Sequence, residues 1–320
     1  YHFKHLAWVF SICGILCASI ALAQTGNDKT KPVKKASAYS QKKNFDISFL
    51  DKIISDDSDF LFDPNLFGKN YLLLIACDKY KFWKSLKNAV KDARDVRRIL
   101  INKYGFESDN IYELYNEDVT VDNMKAQFEA LVSKSTNQDN LLIYYSGHGF
   151  YDASFDLGYW VPHDGRTNSN ATATYFPNDL VRDYIKQMNF KHVFLVADAC
   201  FSGSLFADDL DTRGVEEEKL ESIKSRWGLS SGNLETVLDA AVIEGKKLDN
   251  SPFAHFFTDY LTNNLQEYLP VKQLIEYVKA QVKENTEQEP LGAQLNGVGS
   301  EGGQFVFKFE GEAEEKDSRK

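Results

Sequence analysis

The run Lys191-His-Val-Phe-Leu-Val-Ala-Asp-Ala-Cys200-Phe-Ser-Gly203, set beside Asn140-Leu-Leu-Ile-Tyr-Tyr-Ser-Gly-His148-Gly149, decides how this chain is read. Each is a short, almost wholly apolar segment that ends abruptly in small and polar residues. A strand covered on both faces of a parallel sheet reads this way, because neither face needs polar side chains. In open α/β sheets ligands bind outside the carboxyl ends of the strands, so the two runs predict an imidazole, His148, and a thiol, Cys200, on one rim.

That pairing has a chemical reason. The thiolate is the attacking species and a free cysteine is mostly protonated near neutral pH, so a neighbouring imidazole helps form the nucleophile and can protonate a departing amine. Gly147 and Gly149 allow a tight turn beside His148, and an N–H there, with that of Cys200, could face a developing oxyanion. Taken singly, a cysteine ending a strand is more often a small buried apolar residue, and a lone histidine is usually structural.

Taken together the two motifs are more specific. Their separation, 200 − 148 = 52 residues, with a strand-like run before each, resembles caspase-type cysteine peptidases, whose histidine lies about 50 residues upstream of an x-Ala-Cys-x-Gly-like motif. The motif here is Asp198-Ala-Cys200-Phe-Ser-Gly203, with Asp where caspases have Gln and one residue inserted before Gly. Both departures resemble the metacaspase, paracaspase and bacterial caspase-like branch, and the likeness runs from about Asn70 to Phe309. It implies an α/β caspase-haemoglobinase fold, a mostly parallel sheet of about six strands with helices on both faces. It also implies a cysteine endopeptidase with Cys200 as nucleophile, His148 as proton carrier, and the N–H groups of Cys200 and Gly149 as oxyanion donors.

Working outward, Asn70 to Tyr80 opens as a buried strand, and Leu86 to Leu100 places Ala89, Ala93, Val96 and Leu100 on one helix face before Gly105. Ile111 to Tyr115 is a short strand, and Thr120 can cap a helix carrying Met124, Phe128 and Leu131. Asp156 to Gly165 resembles the hairpin and loop that follow the histidine in the caspase-like family, while Asp179 to Met188 reads as a helix, Thr236 to Ile243 as a fifth strand, Ser251–Asn263 and Val271–Val282 as helices, and Gln304 to Phe309 as a last strand. Strands alternating with helices predict the covered parallel sheet independently of any resemblance.

Substrate preference follows from Asp198. A carboxylate two residues before the nucleophile favours a cationic group through a charge-assisted hydrogen bond. In metacaspases and paracaspases, carboxylates matching Asp92 and Asp198, with the Ser of Ser146-Gly-His-Gly, line the pocket for Arg or Lys before the scissile bond. The resemblance therefore implies cleavage after Arg or Lys, with protein or peptide substrates carrying basic residues as partners. The acid-rich stretch Asp208 to Glu221 reads as an exposed loop, and Arg213, Lys219, Lys224 and Arg226 in and beside it are potential self-cleavage sites. Some metacaspases are calcium-activated, and Asp179, Asp208 and Asp209 lie near matching acids. No required cofactor and no metal site is expected, since the EF-hand and zinc spacings are absent.

The ends carry other signals. Leu6 to Ala23 is apolar and closes on Ala21-Leu-Ala23, the form of a secretory leader (1–23), so an exported, periplasmic or secreted protein is expected, membrane-anchored if the leader is retained. Residues 24–66 read as a polar linker or pro-segment, 67–309 as the peptidase domain and 310–320 as a charged tail. The lysines between Thr25 and Asn44 lack interleaved aromatics, and the chain carries −10 overall, so nucleic acid is not an expected partner. A monomer is expected. An inactive caspase-like binding module and another thiol hydrolase, an amidase or acyl transferase, are the rival readings.

Overall fold

A computed structural model describes residues 68–199, 222–232, 238–243, 245–295 and 297–311. The leader, the 24–66 segment, Cys200 and its following acid-rich stretch, and the tail beyond 311 lie outside the described residues. In chain order the elements are β1 (Asn70–Ala76), α1 (Ala89–Lys103), β2 (Ile111–Tyr115), α2 (Val121–Lys134), β3 (Asn140–Ser146), β4 (Gly149–Asp152), β5 (Leu157–Trp160), β6 (Phe176–Pro177), α3 (Asn178–Gln187), β7 (His192–Asp198), β8 (Ser225–Ser230), β9 (Val242–Ile243), β10 (Lys246–Lys247), α4 (Pro252–Asn263), β11 (Tyr268–Pro270), α5 (Val271–Asn285), β12 (Leu291–Gln294) and β13 (Val306–Lys308).

Six strands form the central sheet in the order β12-β8-β7-β3-β1-β2. All neighbours run parallel except β12, which is antiparallel to β8. The period-2 geometry of a strand splits each apolar run between two cores. Leu72, Leu74, Leu142, Tyr144, Phe194 and Val196 face one side, where they pack with Ala93 and Val96 of α1, Phe257 of α4 and Leu274 of α5. Leu73, Ile75, Leu141, Ile143, Val193 and Leu195 face the other, against Met124 and Phe128 of α2 and Val181 of α3. Each fully buried Leu, Ile or Phe contributes about 1.5–3 kcal/mol, so the sheet is stabilised from both faces at once.

Local signals set the helix ends. Thr120 Oγ1 accepts from the Asn123 N–H at 3.2 Å and starts α2. Gly105, at φ +66°, turns the chain out of α1, a left-handed position that glycine adopts without strain. Pro252 stands in the first turn of α4, with Ser251 as N-cap.

Two elements depart from the sequence reading. Of the strand expected over 236–243, the described part, 238–243, is not in the sheet: among the described residues Val242–Ile243 pair with Lys246–Lys247, and the fifth parallel strand is Ser225–Ser230. That segment looked polar because it carries Arg226. The Arg226 side chain is nonetheless fully buried, its guanidinium donating to the carbonyls of Lys191, Ser225, Met188 and Phe190 at 2.8 to 3.3 Å. A side chain buried and bonded through both terminal nitrogens is not an exposed cleavage site, which corrects the expectation for Arg226. The last predicted strand, at 306–308, pairs with β11 outside the main sheet, whose edge is taken by β12. Gly292 in β12 hid it. A Cβ there would lie 2.3 Å from Ile275 Cγ2 of α5, so glycine is required for the helix to pack.

The order of strands places the site. From β1 the chain builds outward to β2, then returns to lay β3 and β7 on β1's other side, so the direction of growth reverses between β1 and β3. Connections from the two strands diverge there and leave a crevice at their carboxyl ends.

Candidate active site

Register lines up the site residues across three strands. Ser146 is the Cα partner of both Ala76 on β1 and Asp198 on β7. His148 and Cys200 each follow this level by two residues along the chain. A cavity of about 360 Å³ opens at these strand ends, lined among others by Asp92, Ser146, Gly147, His148, Asp198, Asp239 and Ser251. The structure therefore brings four of the sequence-predicted residues, Asp92, Ser146, His148 and Asp198, into one cavity. Gly149 is not among its lining residues; it is buried at the start of β4, in register with Trp160. Cys200 lies outside the described residues, and its neighbour Ala199 lines the cavity.

The imidazole of His148 is held from several directions. Its Nε2 lies 2.7 Å from the Lys84 carbonyl, and since a carbonyl can only accept, Nε2 carries the proton and Nδ1 is left as the lone-pair nitrogen. The His148 N–H donates to Tyr80 Oη at 2.8 Å, and its carbonyl accepts from Tyr145 Oη at 2.7 Å and from the Val161 N–H at 2.9 Å. The Tyr80 and Trp83 rings lie 4.7 and 5.2 Å from the imidazole. Burial lowers the His148 pKa from its ordinary value, partly offset by the Lys84 carbonyl and the charge of Asp239, which keeps the ring neutral and able to accept a proton.

The carboxylates are buried. Asp92 is fully covered and Asp198 is 5% exposed. Asn250 Nδ2 donates to Asp92 Oδ1 at 2.6 Å, the Ser251 N–H to Asp92 Oδ2 at 3.1 Å, and the Ser251 hydroxyl to Asp198 Oδ2 at 2.5 Å. Asp198 Oδ1 has no hydrogen-bond partner among the described residues. Burial pushes both carboxyls up from the ordinary carboxylate range, and for Asp92 the neighbouring charge of Asp198 adds to the effect. Among the described residues neither acid is in an ion pair. The site is thus two desolvated acids with spare acceptor capacity, an arrangement that a buried cation relieves.

Several contributors had no sequence signal. Any residue has a carbonyl, so Lys84 could not be singled out, and Ser251, Asn250 and Asp239 are drawn in by long-range packing. Cys77, the other thiol of the domain, is fully buried, donates to the Lys79 carbonyl at 3.1 Å, and has its pKa pushed up to about 12 by burial, so it is inert at neutral pH. Asp179 sits in the first turn of α3, whereas Asp208 and Asp209 lie outside the described residues.

The caspase domain family model matches residues 69–300, nearly three quarters of the chain. The chain belongs to the caspase domain family. Metacaspase-7 of Arabidopsis thaliana is 24% identical over 246 residues, covering 65% of this chain and 55% of that protein. Metacaspase-6 of the same plant is 25% identical over 268 residues, covering 70% of this chain and 71% of that protein. Metacaspase-1 of Cryptococcus neoformans var. neoformans serotype D is 28% identical over 184 residues, 52% of this chain and 39% of that protein. This caspase domain thus spans about half the length of Metacaspase-7. Among solved structures, protein GSU0716 from Geobacter sulfurreducens superposes with a TM-score of 0.50 at 16% identity, covering 71% of this chain and 94% of that one, a likeness of fold.

Proposed function

We propose that this caspase domain is a cysteine endopeptidase that cleaves after Arg or Lys, with Cys200 as nucleophile and His148 as the proton carrier. The observation that carries the reading is the cavity in which Asp92, Asp198 and Ser146 lie beside His148, two buried carboxylates that pair with no cation among the described residues. A guanidinium or ammonium entering it would stabilise both ionised acids through charge-assisted hydrogen bonds. The scissile carbonyl would then lie near the strand ends, within reach of residues two positions beyond Ser146 and Asp198.

The steps balance as follows. His148 Nδ1 takes the thiol proton and the Cys200 sulfur attacks the carbonyl carbon. The C–N bond breaks as Nδ1 returns that proton to the departing amine, leaving a thioester. Water then attacks the thioester, giving its proton to Nδ1 and restoring the thiol as the acid product leaves. Backbone N–H groups of Cys200 and Gly149 are the proposed oxyanion donors, each site of this kind contributing roughly 10²–10³ in rate.

Fluorogenic peptides ending in Arg, Lys and Asp test the reading with wild type, Cys200→Ala and His148→Ala. Turnover of the Arg and Lys reporters that needs both side chains supports it. No cysteine-dependent turnover would favour an inactive binding module, and cysteine-dependent hydrolysis of simple amides without a basic preference would favour another thiol hydrolase.

A further inference from the structure

We infer that Asp239 is a positioning residue for His148, fastening the 84–88 segment whose Lys84 carbonyl holds the imidazole. The inference rests on the peptidase reading for its kinetic consequence, but its geometry stands alone. Asp239 Oδ2 accepts from the Lys87 N–H at 2.7 Å and Oδ1 from the Asn88 N–H at 3.1 Å, while Asn88 Nδ2 donates back to the Asp239 carbonyl at 2.6 Å. Three bonds thus join positions 151 or 152 residues apart in the chain.

The 84–88 segment needs this support. Asn88 is the N-cap of α1 but makes no capping bond with its own side chain. Inside the first turn the Val90 N–H is taken by Asp78 Oδ1 at 3.1 Å, and Asp239 takes the two N–H groups just before it, those of Lys87 and Asn88, where negative charge also suits the helix dipole. The segment's other tether is the Leu86 N–H to the Asp78 carbonyl at 2.9 Å. Upstream, Asn116 Oδ1 accepts from the Asp78 and Lys79 N–H groups, and the Lys81 N–H donates to the His163 carbonyl, so 78–81 is fixed independently of Asp239. Lys84 lies between these anchors. Releasing Lys87 and Asn88 would leave the Leu86 and Val90 bonds to Asp78 as the downstream holds, and would free the stretch between them that leads to the Lys84 carbonyl, which selects the Nε2–H tautomer and with it the lone pair on Nδ1. Asp239 also lines the cavity, so a rival role is direct contact with the substrate cation.

The groups facing His148 are the Tyr80 and Trp83 rings, the Lys84 carbonyl and ammonium, and the more distant Asp239 charge. Kinetics on an Arg reporter with wild type, Asp239→Asn and Asp239→Ala separate the roles. The latch predicts a kcat reduced by about 10- to 100-fold, with KM within about twofold of wild type. Asp239→Ala should be the worse of the two, because Asn keeps one acceptor. A raised KM at wild-type kcat, or wild-type values for both, would overturn the latch. A wild-type protein without Cys200-dependent turnover sinks the peptidase reading instead, and the latch is then read by ¹⁵N NMR of histidine-labelled protein, with His148→Ala assigning the signal. One Nε2–H tautomer in wild type and a tautomer mixture in Asp239→Ala are expected, and identical spectra would refute the inference.

Discussion

The Ser251 hydroxyl donates to Asp198 Oδ2 at 2.5 Å while the same oxygen accepts from the Ala254 N–H at 3.0 Å, so one residue caps α4 and orients a pocket acid. Its own N–H reaches Asp92, which makes Ser251 the joint between both carboxylates. Ser251→Ala should cost about 1 kcal/mol in stability from the lost cap. It should also raise KM for Arg reporters by about tenfold, one charge-assisted bond's worth of orientation. Urea unfolding and steady-state kinetics on the same variant check both, and an unchanged KM would show that the acids do not depend on this joint.

Binding of basic substrates should strengthen as pH rises. The Asp198 and Asp92 carboxyls are raised to about 6 and about 8, so below these values they are neutral and offer a cation little. KM for an Arg reporter should therefore fall between about pH 6 and pH 8, whereas a norleucine reporter of the same length should show no such trend. Parallel KM profiles for the two peptides would count against the acids as cation receptors.

Stability should run the opposite way in the unliganded protein. Both carboxyls hold their protons more tightly folded than unfolded, so their contribution is complete below the ordinary value of 3.8 and is lost as pH climbs through about 6 and about 8. Asp92→Asn removes one buried charge and should raise Tm at alkaline pH by about 2–4 °C, the size of shift about 1 kcal/mol gives in a domain this large. The same variant should bind Arg peptides worse. Scanning calorimetry at acid and alkaline pH tests this, with the gain expected only at the alkaline end.

Gly147 should tolerate no side chain. A Cβ there would lie 2.7 Å from Tyr80 Oη and 3.0 Å from Tyr145 Oη, the two hydroxyls that bond the His148 backbone. Gly147→Ala should cost about 1–3 kcal/mol from overpacking and lower kcat by displacing the imidazole. A variant with wild-type kcat would show that these tyrosines do not set the histidine's place.

The parallel core and the rim carrying His148 and Asp198 were legible in the chain because a strand buried on both faces must be apolar almost throughout, and it can turn polar only where it ends. Leu72, Ile143 and Leu195 follow that rule, and so do Ser146 and Asp198 at the strand ends. Ser225–Ser230 broke it, since Arg226 is buried against the carbonyls of Met188, Phe190 and Lys191, which belong to another segment and leave no local mark. Gly292 broke it too, because its reason is the flank of α5.

By itself, then, the sequence determined the class of fold and the residues at the ends of the central strands, Ser146 and Asp198 among them. These depend on local periodicity and on the chemistry each side chain carries. Only the tertiary structure decided that Lys84 offers its carbonyl to His148, that Ser251 joins Asp92 to Asp198, and that Asp239 grips a helix end some 150 residues away. Such contacts are made by backbone groups common to every residue, or by side chains whose partners are chosen by packing. Nothing in the neighbouring sequence records them.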